Sequence, residues 1–165
     1  DETLDGARKL MEAALRACAA AVEGPAQAAG SPGAAPGGGA DAGEARRGMV
    51  TELGHTHRQF GDLVARSVPD DEEEAFARAA FEESLGHLTR AIAVFASLGD
   101  DVLDARTGAE LAAGRLEADL GRHEAAAARA RAVLDACPRL DGDVAEARRA
   151  EAGRMLERVE RPEKA

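Results

Sequence analysis

Between Thr107 and Leu140 the chain spells out a helix, a tight turn and a second helix. Gly114 lies inside the first helical stretch, where glycine costs roughly 1 kcal/mol against alanine. Such a position needs the missing side chain, which points to a partner helix at close approach. Leu120-Gly121 closes that stretch, because glycine takes the left-handed conformation that ends a helix. Ala126 and Ala130 are four apart and share one face of the second helix. Pro138 stops it, since proline lacks an N–H and its ring clashes with the preceding turn. The segment therefore reads as an antiparallel helix hairpin.

Composition extends this reading to the whole chain. Hydrophobic residues make up 45% of the 165 residues, enough for the core of one domain, yet aromatics are only 2%. The core must be built from Ala, Leu and Val, with Phe60, Phe76, Phe81 and Phe95 as its large rings. Small side chains favour closely packed helices, and strand formers such as Ile and Thr are scarce. The fold class is all-α.

Thr3 to Val22 predicts a first helix, with Leu4, Leu10, Met11, Leu15, Cys18 and Val22 on an apolar stripe. Gly24-Pro25 ends it. Residues 24–43 are a Gly/Ala/Pro-rich tract with nothing to bury, which reads as a flexible linker spanning roughly 25 Å. The chain thus divides into an N-terminal helix (1–23), a linker (24–43) and a helical domain (44–165). A second helix runs from Asp41 or Glu44 to about Arg66, and Pro69 separates it from the third. Asp70 or Asp71 caps the third helix, and Glu72, Glu73 and Glu74 meet its positive dipole end. Phe81, Leu85, Leu88, Ile92 and Phe95 then form a heptad-like seam up to Leu98. The seam is expected to pack inside the domain, since few other large residues exist to make a core. Further helices are predicted over 102–120, 124–136 and 144–159, and the short loops between them imply antiparallel neighbours.

Several function classes fall away. A formal net charge of −10 argues against nucleic-acid binding, which needs a basic surface. No apolar run is long enough to span a membrane and no signal-peptide pattern is present, so a cytoplasmic location is expected. Cys18 and Cys137 are isolated and read as reduced thiols. Glu52 and His55 make one Glu-x-x-His pair, but a second is missing, because Glu83 and His87 are one residue too far apart. His55 and His57 point to different sides of a helix, and His123 reads as a solvated turn residue. No metal and no cofactor is expected. Ser31, Ser67, Ser84 and Ser97 lack a nucleophile elbow, and Gly37-Gly38-Gly39 follows no strand that would make it a phosphate cradle. The chain reads as non-catalytic. It begins at Asp1 rather than Met, which suggests a piece of a longer protein.

An internal echo adds a repeat signal. Ala45-Arg46-Arg47-Gly48, Gly54 and Phe60-Gly61-Asp62 stay in register with Ala105-Arg106-Thr107-Gly108, Gly114 and Leu120-Gly121-Arg122. A shorter echo relates Asp101-Val102 and Ala105-Arg106 to Asp143-Val144 and Ala147-Arg148. With Gly114, Gly121, Ala126 and Pro138 in step, the chain from about Gly43 to Val159 resembles tetratricopeptide (TPR) repeats. It is similar to the TPR regions of actinobacterial multidomain regulators. It departs from that pattern where the large aromatic sites fall on Glu110, Glu117 and Ala130, and where the leucine before the first glycine is Ala113.

The resemblance implies antiparallel hairpins stacked into a short superhelix, with a ligand groove lined by the first helix of each hairpin. By register, that groove takes His55, Arg58 and Gln59 from one repeat, Leu111, Arg115 and Asp119 from the next, and Arg154 and Arg158 from a partial last one. Arginines grip carboxylates with paired hydrogen bonds, so the expected partner is an acidic peptide or a C-terminal carboxylate. The first helix, carrying Glu2, Asp5 and Glu12, could fill the groove as an internal ligand. Two alternatives stand beside this interaction module. One is a regulatory or sensor segment controlling an adjacent effector domain. The other is a self-associating structural protein, a homodimer through the third-helix seam or the first helix.

Overall fold

The computed structural model describes residues 2–28, 39–68 and 73–161. Six helices carry them: α1 (Glu2–Ala28), α2 (Gly39–Arg66), α3 (Glu74–Leu98), α4 (Leu103–Asp119), α5 (His123–Ala136) and α6 (Gly142–Glu160). Short 3-10 turns at Asp100–Val102 and Cys137–Arg139 lead into α4 and out of α5. Among the described residues there is no strand, and the fold is all-α.

Each helix packs on the next in sequence, from α1 on α2 through to α5 on α6. Contacts also skip one helix: α4 touches α6 and, more lightly, α2. Thus α2, α4 and α6 form one row, and α3 and α5 back them. Arg148, Glu151 and Arg158 of α6 pair in that order with Asp104, Arg115 and Asp119 of α4. The matching order makes α4 and α6 parallel.

The turn between α4 and α5 follows from its glycine. Gly121 has φ +75°, Gly121 N–H donates to Ala118 O at 3.0 Å, and Arg122 N–H donates to Glu117 O at 2.7 Å. These two bonds satisfy carbonyls that the helix end would otherwise leave open. The helix-interior Gly114 also has its predicted purpose. A Cβ there would lie 2.7 Å from Met155 Sδ, so glycine lets α6 approach α4.

Small side chains make the core. Ala130, Ala152, Val133 and Leu111 are fully buried between α4, α5 and α6. Leu85 and Leu88 of α3 pack with Ala113 and Leu116 of α4. The α3 seam therefore faces inward: Leu85, Leu88 and Phe95 are buried, with Phe81 and Ile92 partly so. Phe76 does not join this core and is 55% exposed, because it precedes the seam by more than a turn.

Other expectations need correction. α1 runs on through Gly24-Pro25 to Ala28, and α2 starts as early as Gly39. Ala26, Gln27 and Ala28 are good helix formers, and they carry the backbone past a proline expected to end it. The ends of the expected 24–43 linker are thus helical, and its middle, 29–38, lies outside the described residues. So do the predicted caps Asp70 and Asp71. Leu10 stands 73% exposed, off the α1 stripe. Met11, Leu15, Cys18 and Val22 keep a four-three-four spacing and are half-buried, and Leu10 falls about 100° from Met11 around the helix.

The internal echo also splits. Gly54 matches Gly114 in role, since a Cβ there would lie 2.6 Å from Phe95. Gly61 does not match Gly121. It sits inside α2 against Leu88 and the Ser84 carbonyl, five residues before the helix ends, whereas Gly121 terminates α4.

Candidate functional site

Two clefts open on the row formed by α2, α4 and α6. The larger, about 500 Å³, lies between α2 and α4, with Asp62, Ala65 and Arg66 on one side and Ala112, Arg115 and Asp119 on the other. Phe81, Ser84 and Leu88 of α3 form its floor, and the Ser84 hydroxyl donates to Gly61 O at 2.7 Å. The smaller, about 230 Å³, lies between α4 and α6 and is lined by Ala118, Glu151, Arg154, Met155 and Arg158. Arg115 borders both clefts and joins them into one face.

Of the eight residues expected on the groove, Arg115, Asp119, Arg154 and Arg158 line these clefts. Arg58 reaches from α2 toward Gly108 of α4. Gln59 is exposed on α2 but lines neither cleft. His55 turns to α3 instead and meets Phe95 edge-on, with ring centroids 5.1 Å apart. Leu111 is fully buried in the core, so it offers nothing to a ligand on this face. On a helix packed on three sides, that position points at α5 and α6 rather than at solvent.

Charge on the face is partly settled internally. Arg115 pairs with Glu151 at 2.5 Å and Arg158 with Asp119 at 2.6 Å. Arg154 is exposed and has no ion-pair partner among the described residues. Register from the sequence echo did not reach Arg148 and Glu151. Their signal was the 148, 151, 155, 158 spacing, which marks one face of α6. Of the described residues of α1, none lines either cleft; α1 packs on α2 and reaches α3 through an Arg8–Glu83 ion pair.

A second polar cluster sits away from this face, between α2 and α3. His57 and His87 face each other with Nδ1 atoms 3.3 Å apart, and Phe60 covers the His87 ring at a centroid distance of 4.2 Å. Burial, then His87 and Arg90, push His57 down to about 4. Burial and Arg90 also lower His87, against an opposing pull from Glu83. Both rings are therefore neutral at pH 7, and one N–H can bridge the two nitrogens. Among the described residues no group of three or more His, Cys, Asp or Glu is placed to hold a metal ion.

The expected aromatic sites at Glu110 and Glu117 carry a different device. Arg129 of α5 donates from Nη1 to Glu110 at 2.7 Å and from Nε to Glu117 at 2.8 Å. Burial alone would lower this guanidinium, but the two carboxylates outweigh it and hold its pKa above the ordinary value. An ion triad thus joins α4 to α5. No helix among the described residues is long and apolar enough to cross a membrane. Comparison with family models, with curated proteins and with solved structures finds no match.

Proposed function

We propose that this chain is a non-catalytic interaction module, a short TPR-like array that holds an acidic peptide segment along α2, α4 and α6. The observation that carries the reading is the arginine-lined double cleft centred on Arg115. An acidic protein places Arg66, Arg115, Arg154 and Arg158 around these two clefts, beside Asp62, Asp119 and Glu151, and guanidinium forks match carboxylates. Partly exposed apolar surface from Ala65 and Phe81 gives such a peptide something to bury between its charges.

Fluorescence polarisation with labelled acidic peptides tests this on the full chain. Arg115→Glu combined with Arg154→Glu abolishes binding and leaves helicity by circular dichroism unchanged. Binding that survives this double reversal sinks the groove.

A further inference from the structure

We propose that Arg58, Gly108 and Arg148 form an oxyanion subsite on this face, seating one carboxylate of the acidic peptide. The inference rests on the peptide-binding reading above. Two arginines from different helices converge on one glycine: a Cβ on Gly108 would lie 2.9 Å from Arg148 Nη2 and 3.1 Å from Arg58 Nη1. Glycine is what lets α2 and α6 bring like charges together over α4. Like charges this close repel, and the arrangement is stabilised by an anion between them.

The local carboxylates do not suffice. Arg148 Nη2 is held by Asp104 Oδ1 at 2.6 Å, but its Nη1 is 3.9 Å from Glu151, whose other oxygen is on Arg115. Arg148 Nε is buried without a hydrogen-bond partner among the described residues. Arg58 has no ion pair or side-chain hydrogen bond among them either. Arg148 therefore has one close carboxylate, Asp104, and Arg58 has none, which leaves the Arg58 fork and Arg148 Nη1 as donors for an incoming oxyanion. A peptide carboxylate and free phosphate offer the same acceptor chemistry.

Calorimetric titration of the full chain with inorganic phosphate, and separately with hexaglutamate, tests the subsite. Gly108→Ala and Arg58→Gln each weaken both probes about tenfold, the size of one charge-assisted hydrogen bond. Gly108→Ala keeps the fold, because the added methyl meets only the far ends of two arginine side chains and no backbone. Its melting temperature stays level or rises, since alanine suits a helix better. Arg139→Gln removes the same charge away from the face, where Arg139 pairs with Asp100, and leaves both affinities unchanged. Hexaglutamate binding that ignores Gly108→Ala and Arg58→Gln overturns the subsite and leaves the groove standing. Phosphate binding lost in the two variants, with no hexaglutamate binding to wild type, upholds the oxyanion subsite and overturns the peptide reading. No binding of either probe overturns the subsite.

Discussion

His57 and His87 make the fold acid-sensitive. The folded pKa of His57 is about 4, below the 6.5 of an unfolded histidine, so the unfolded chain takes up the proton first. Stability from this site is complete above about pH 6.5, falls as pH drops toward 4, and is flat below that. The ring is only half-buried, so water screens part of the effect, and about 1 kcal/mol is the expected loss. Urea unfolding at pH 7 and pH 5 measures it, and His57→Gln flattens the difference between the two midpoints. The Arg129 triad gives a second residue-scale prediction. Arg129→Ala leaves the buried Glu117 and the partly buried Glu110 without their cation and lowers stability by about 3 kcal/mol, whereas replacing all three residues by apolar ones of similar size costs little. Chemical denaturation of the single and triple variants separates these outcomes. Neither cluster was legible in the sequence. Glu110 and Glu117 could be seen only as departures from a pattern, because Arg129 reaches them across a turn, and His57 meets His87 across thirty residues.

Helices were the most legible feature. The turn at Gly121 and the close approach at Gly114 both follow from what glycine permits, and the structure has both. The boundaries that failed were those resting on punctuation alone. Pro25 did not end α1, because flanking helix formers outweigh a single weak residue, whereas α2 ends at Arg66 as expected, with Gly61 inside it against Leu88. The glycines differ in what they resist. Gly121→Ala forces a side chain into the left-handed region and costs about 1 kcal/mol. Gly54→Ala pushes a methyl to within 2.6 Å of the fully buried Phe95 ring and costs about 2 kcal/mol. Thermal melts rank the two, and the expected order is Gly54→Ala below Gly121→Ala below wild type.

Across the molecule, the largest apolar seam is spent internally. Leu85, Leu88 and Phe95 of α3 are covered by α2 and α4, so no continuous apolar stripe is left there for a second copy. The large apolar side chains exposed among the described residues, Leu10, Met49 and Phe76, lie on three different helices. Light scattering across a wide concentration range is therefore expected to give the monomer mass, and a dimer would restore self-association as a function. The double cleft was only half legible. Register placed Arg115, Asp119, Arg154 and Arg158 on it because α4 and α6 run parallel. It could not show that Leu111 turns inward, that His55 turns to Phe95, or that Glu151 and Asp119 neutralise two of the arginines.

Because each helix rests chiefly on the next one along the chain, the molecule needs few distant encounters to assemble. Loop closure between neighbours is entropically cheap, so folding is fast and can begin while later helices are still being synthesised. Opening follows the same order in reverse. α4 is braced by α2, α3, α5 and α6 and is the last to exchange its amide hydrogens, whereas α1 is held chiefly by α2 and is the first. Hydrogen exchange followed by mass spectrometry should show that gradient, from one end of the stack to its centre.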